Sequence, residues 1–400
     1  MLRRMRQAAA AILLMSLPIS CMENTMPSSP TNTSSAESSS NSAAQTETRK
    51  VRIFSLPEET PRYDKARLFV GDREVPLMAV KVNDSHVFGF PSSTRIDAGV
   101  ARVAIRGRIS FTLKTTYGIG YDTVVYPSSY AIVPTVNNSR QETSFEIYNA
   151  GSYVIEPNGD PTLAIHLFVY DIDADPLEDV DQSSYRIVEF GKGLHTKDNS
   201  ELIGQDGKID IASHTIVKID GDAVVQGRFS IDSASDIYIV GAGIIDGSAF
   251  ARTDVLVPID FSRSSDIHLR GINIYDPAAW SCNLYFCVDS EINGINIISS
   301  RANGDGITLQ SCKRVTVANS FVRGYDDNLV VKNYSFPYGN PDRTTHGSST
   351  AISFFNCTLW TDLAQSTEIG YETVGTTISD VSFENINVIH AFHKPVMSIH

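Results

Sequence analysis

Three aspartates carry the chemistry that can be read from this chain. Asn303-Gly304-Asp305-Gly306-Ile307 is followed by Gly324-Tyr325-Asp326-Asp327-Asn328. The segments just downstream, Gly306-Ile307-Thr308-Leu309 and Asn328-Leu329-Val330-Val331, match at a spacing of 22 residues. That spacing sets Asp305 and the Asp326/Asp327 pair in equivalent places on successive turns of a coiled chain. Neighbouring strands of a sheet lie ~4.8 Å apart, so the three carboxyl groups converge on one outer face. Carboxylates that crowded cannot all ionise independently; at least one pKa must rise, which leaves an acid available near neutral pH. One carboxyl group protonating a leaving oxygen, with another activating water, is what hydrolysis of a glycosidic bond requires. Aspartate beside glycine is also ordinary in solvated turns. Here the repeat and the flanking apolar pairs Ile307/Leu309 and Leu329/Val331 favour function.

The elements that must position these residues are strands. From about 185 to 400 the sequence has a loose period in the twenties: Ser235-Asp236-Ile237-Tyr238-Ile239 is echoed by Ser265-Asp266-Ile267-His268-Leu269, and weaker echoes run through Arg314–Val317, 351–356 and 381–388. Each unit offers short β-branched strands with asparagine or glycine at the corners. Such a unit cannot bury its apolar face alone and must stack on its neighbours. The expectation is an all-β chain whose C-terminal part is a parallel β-helix, right-handed because parallel crossovers overwhelmingly are. Over 49–180 the pattern changes to short alternating strands at 66–70, 101–105, 109–113, 144–148 and 163–169, the texture of a β-sandwich. His166, among apolar neighbours, reads as structural.

Residues 1–21 read as an export signal: Arg3, Arg4 and Arg6 precede a short apolar core, and Leu17-Pro18-Ile19-Ser20-Cys21 has the form of a lipoprotein cleavage site. The apolar run is too short for a permanent membrane span. Lipidation of Cys21 would tether the protein to the bacterial outer membrane or cell surface; simple cleavage would leave it periplasmic or secreted. Residues 22–48, rich in Ser, Thr, Asn and Pro, cannot bury enough surface to fold and read as a flexible tether. The chain stops at Met397-Ser398-Ile399-His400 inside an expected strand, as a fragment or an abruptly ended solenoid would.

A formal net charge of −13 without a compensating basic patch argues against nucleic acid as a partner and, more weakly, against a polyanionic substrate. The four cysteines beyond Cys21, at 282, 287, 312 and 357, lack metal-site spacing and read as buried side chains in solenoid rungs, with one bridge between Cys282 and Cys287 as the alternative. A monomer with no cofactor and no metal is expected, touching membrane through a lipid anchor alone.

Taken in order, Gly241–Gly247, Pro277-Ala278-Ala279-Trp280, Asn303–Gly306 and Asp326-Asp327 resemble the polygalacturonase-like clan of glycoside hydrolases, families 28 and 49. The resemblance covers roughly 185–400. It implies that Asp326 is the general acid, that Asp305 and Asp327 hold the attacking water, and that the anomeric configuration is inverted. Family 28 adds a His-Gly before a Leu-Ser-Ile-Gly segment and an Arg-Ile-Lys that grips a uronate. Here Gln365–Gly370 matches the first without the histidine, and Ser398-Ile399-His400 falls on the second without its cations; His346-Gly347 sits earlier. Family 49, the dextranase and isopullulanase group, lacks those cations and carries a β-sandwich before its β-helix. The resemblance is therefore nearer family 49 and implies a neutral α-glucan such as dextran, with a pectin hydrolase of family 28 type as the alternative.

Around the trio, Trp280 can stack on a sugar or fill the core. Lys332, Glu368 and Tyr371 are expected on the same face as sugar-binding groups, with solvation the simpler reading of Lys332. Asn303 and Asn328, counted with the substrate-binding groups, can orient the carboxylates or form a corner ladder. A lyase would need calcium and an Arg or Lys base, and Arg323 is the nearby arginine of the motif. A non-catalytic glycan-binding solenoid is the remaining class.

Overall fold

The computed structural model describes residues 50–86, 94–254, 256–333, 347–374 and 377–400. The expected export signal with Cys21, the expected tether and His346 lie outside them.

The alternating segments near the N-terminus form two sheets, one of six strands and one of five. Ala66–Val70, Ile109–Thr115 and Glu142–Ile147 pair antiparallel in the smaller sheet. Arg95–Ile105, Gly151–Glu156 and Ile165–Asp171 lie in the larger one, where the last pairs parallel to the first. Period-two burial turns alternate side chains inward, so Leu68, Phe111 and Leu113 meet Val103, Ile155 and Leu167 in a shared core.

From Arg186 onward the loose repeat becomes three parallel sheets of eight strands each, with neighbours in chain order. This is a parallel β-helix. In the first coil the three faces are Arg186–Phe190, Gly193–His195 and Lys208–Ile209. The echo at 235 and 265 is literal register, Ser235 opposite Ser265. The interior is a column of fully buried Ile, Leu, Val and Phe, among them Phe229, Phe261, Leu284, Leu309 and Val331, each contributing about 1.5–3 kcal/mol by leaving water. Cys282, Cys287, Cys312 and Cys357 are free and buried, so the Cys282–Cys287 bridge does not form.

The sandwich covers the second face. Met78, Val80, Val100 and Phe168 pack on Tyr275, Ile298, Phe321 and Trp360, within one compact unit spanning Thr46–His400. His166 sits in this seam, 5.6 Å from the Phe321 ring and 5.9 Å from Trp360. Burial pushes its pKa well below the ordinary value, so it stays neutral and structural. Two corners flank the covered face. One joins the first face to the second, and the other joins the second to the third.

Candidate active site

The trio sits at the corner between the second and third faces. Ile307 pairs with Leu329 in the third face, so Asp305 and Asp327, each two residues earlier, occupy the same place on adjacent coils. The register continues from Cys282 to Ile307 and from Leu329 to Thr367. Trp280, Asp305, Asp327 and Gln365 are therefore one column on four successive coils. Peptide bonds tie the column together: Ser281 N–H donates to Asp305 O at 2.9 Å, and Gly306 N–H to Asp327 O at 2.8 Å.

The glycines of the motif allow that approach. A Cβ on Gly306 would lie 2.4 Å from Asn328 O, and one on Gly304 would lie 2.6 Å from Arg301 O. Two arginines hold the turn before Asp305. Arg252 donates to Ala302 O at 2.7 Å and to Asn303 Oδ1 at 2.5 Å. Arg301 is paired with Asp276 at 2.9 Å.

Asp305 is 4% exposed, while Asp326 and Asp327 are half-buried. Asp305 therefore forms the floor and the pair forms a reachable rim. Burial pushes Asp305 well above the carboxylate range; Lys332 opposes that, and Asp326 and Asp327 add to it. Burial also raises Asp326, against Lys332 and against backbone N–H donors at Asp327 and Asn303. Asp327 is raised to about 6, by burial first and by the neighbouring Asp326, with the Gln365 peptide N–H pulling it down from 2.9 Å. The three carboxyl groups thus share protons and titrate as a set.

Lys332 corrects the expectation of a solvated side chain. It is 2% exposed, with Nζ 3.9 Å from Asp305 and 3.1 Å from Glu372 and 5.2 Å from the centre of the Trp280 ring. Burial works against its charge, yet Asp305 and Glu372 outweigh that and raise its pKa. The strand Leu329–Lys332 points it outward, and the 370–374 segment and Trp280 cover it.

Two further expectations are corrected. Asn328 is fully buried, and its amide NH2 donates to Trp360 O at 2.9 Å and Thr361 Oγ1 at 3.0 Å. It braces the corner and does not reach a substrate. Glu368 is likewise buried; its carboxylate accepts from Ser398 Oγ and pairs with His400 Nδ1 at 2.8 Å. Asn303 is exposed, its side chain turned to Arg252. Trp280 is 7% exposed beside Lys332, and Tyr371 is 69% exposed with its edge toward His400. Arg323 points away from the site, stacked 3.7 Å over Trp360 and paired with buried Asp362.

Sequence reasoning passed over Glu372, Arg252 and the Gln365 peptide. Gln365 could have been found by continuing the column one coil further. A peptide N–H and a loop carboxylate leave no such trace. Among the described residues no group of three His, Cys, Asp or Glu side chains is placed to hold a metal ion. The arrangement can hold one proton on a reachable carboxyl group while a second, ionised one takes a proton from water.

Residues 184–356 match the sequence profile described as Glycosyl hydrolases family 28, and that stretch contains the whole trio. That stretch of the β-helix is similar to the polygalacturonase-like glycoside hydrolases. This O-glycosyl hydrolase has no match among curated proteins. Among solved structures it is similar to Dex49A from Penicillium minioluteum, with 11% identity and a TM-score of 0.48, covering 87% of this chain and 90% of that one. It is also similar to a hyperthermoactive exopolygalacturonase from Thermotoga maritima, with 15% identity, a TM-score of 0.41, and coverage of 53% and 61%. A polygalacturonase from Erwinia carotovora ssp. carotovora has 14% identity, a TM-score of 0.40, and coverage of 56% and 76%.

Proposed function

We propose that this glycoside hydrolase cleaves a neutral polysaccharide, an α-glucan of the dextran kind, with inversion. Asp326 is the acid, and Asp305 and Asp327 hold and deprotonate the water. Asp326, raised by burial and reachable at the rim, retains a proton for the leaving oxygen. Asp305 and Asp327, one coil apart, can both accept from one water on the other side of the anomeric carbon.

The observation that carries the substrate class is that the described stretch matching the family 28 Arg-Ile-Lys, Ser398-Ile399-His400, holds neither Arg nor Lys. In the third face Ser398 lies opposite Glu368, so the stretch matching the family 28 Arg-Ile-Lys carries Ser398 and His400 engaged on a buried carboxylate. Lys332 is committed to Glu372. A bound uronate would meet carboxylates there, a costly pairing. The family 28 profile supports a second reading, a pectin-type polymer.

Incubation with dextran, pullulan and polygalacturonate, followed by reducing-end and ultraviolet assays, separates these readings. New reducing ends from dextran or pullulan without unsaturated product support the proposal. Rapid, salt-sensitive cleavage of polygalacturonate contradicts it, unsaturated product indicates a lyase, and no product from any polymer indicates binding alone. The Arg-rich start and Cys21 support export with a lipid anchor, and metabolic palmitate labelling that survives Cys21→Ala would exclude it.

A further inference from the structure

The other corner of the covered face, between the first and second faces, opens on a groove of about 790 Å³ between solenoid and sandwich. It shares no lining residue with the trio. Its solenoid wall is a ladder of amides. Asn319 donates to Asn293 at 2.9 Å, Asn356 to Asn319 at 3.2 Å, and Asn385 to Asn356. Each such amide keeps a second N–H and further acceptor capacity beyond its ladder bond, and Asn319, Asn356 and Asn385 are exposed. The sandwich wall supplies Tyr130, 45% exposed, its ring 5.4 Å from Tyr153.

The lining contains one carboxylate, Asp171, and no Lys or Arg. A second cavity, of about 940 Å³, is lined by charges of both signs, among them Arg52, Lys218, Asp220, Arg270 and Glu291. The groove has no cation to hold an anionic ligand. It offers paired donors and acceptors repeating once per coil, ~4.8 Å apart, and an aromatic face on the opposite wall. A chain of pyranose rings has hydroxyls in like repetition and apolar ring faces that stack on aromatics.

We infer that this groove is a second, non-catalytic binding site for a stretch of neutral polysaccharide, holding polymer on the enzyme while the trio cuts elsewhere. The inference rests on the neutral-glycan reading above. The test is native electrophoresis through gels with and without dextran or pullulan, using Asp326→Asn so that the polymer survives. Tyr130→Ala/Asn356→Gly/Asn385→Gly strips the groove. Glycine suits the two ladder positions because their φ values are 53° and 51°.

The expected result is retardation of Asp326→Asn that weakens roughly tenfold when these contacts are removed. In the otherwise wild-type chain, kcat/KM should be unchanged on a short oligosaccharide and lowered on polymer. Tyr130→Ala alone, at an exposed ring, must also weaken retardation, and it carries the test if the triple variant does not fold. Retardation that the groove variants leave intact, or none by either polymer, overturns the inference. Dextran held through the groove but never cleaved would fell the substrate reading and leave the groove standing. Dextran cleaved, with retardation indifferent to the groove, would do the reverse.

Discussion

The two corners flanking the sandwich-covered face are built by the same repetition and end in opposite chemistry. At the first, asparagines stack coil on coil and satisfy one another, as Asn319 does with Asn293 and Asn356 with Asn319, because an amide both donates and accepts. At the second, Asp305 and Asp327 stack at the same interval, and ionised carboxylates only accept. They can persist there by sharing protons, by taking peptide N–H groups such as that of Gln365, and by having Lys332 inserted behind them. Repetition thus stabilises one corner and, in the proposed function, makes the other reactive. A solenoid can carry both because its core, not its corners, supplies most of the stability.

The largest expected effect belongs to the reactive corner. Asp326→Asn should lower kcat by ~10²–10⁴ with no loss of melting temperature, whereas Asn356→Gly should leave kcat alone. Full activity of Asp326→Asn on polymer would erase the distinction between the corners.

The next effect isolates Lys332. The lysine lowers the pKa of Asp305, Asp326 and Asp327 alike, so Lys332→Met should move both limbs of the pH–rate profile to higher pH. Lys332→Arg, keeping the charge, should restore them toward their original positions. A profile that stays in place while activity falls would reduce Lys332 to packing.

Stability should respond to pH with a definite sign. Asp327 is raised to about 6 from an unfolded value near 4. Its contribution is complete below about pH 4 and lost as pH rises through about 6. Asp327→Asn removes that loss, so the variant should gain on the parent by roughly 2 kcal/mol between pH 4 and 7 in urea unfolding. A gain confined to acid pH would contradict the burial of this carboxyl group. The smallest effect is at the amide corner. Asn356→Ala should cost about 1–2 kcal/mol, with no pH dependence, because its backbone is left-handed.

Much of this was legible from residue order. The match of Gly306–Leu309 to Asn328–Val331 is the register Ile307 to Leu329, and the strands of the smaller sandwich sheet alternate as written, whereas Arg95–Ile105 and Ile165–Asp171 are buried almost continuously. The legible features are those that the fold repeats. Lys332 was misread because lysine is almost always solvated, and its cover comes from Trp280 two coils earlier and Glu372 one coil later. Asn328 and Glu368 were placed on the right coils but given sugar to bind, when the Asn328 NH2 donates into the corner and Ser398 and His400 hold the Glu368 carboxylate. Periodicity locates a side chain on a face; it does not say what lies over it.

The central claim is that the stacked carboxylates split into one acid and two residues holding a single water. Proton NMR of the anomeric signals during the first minutes of hydrolysis of the cleaved polymer tests it most directly. Product that appears first with inverted configuration, before mutarotation, is the predicted result. Initial retention would mean that one of these aspartates attacks the sugar as a nucleophile, and would contradict the assignment of Asp305 and Asp327 as a water-holding pair.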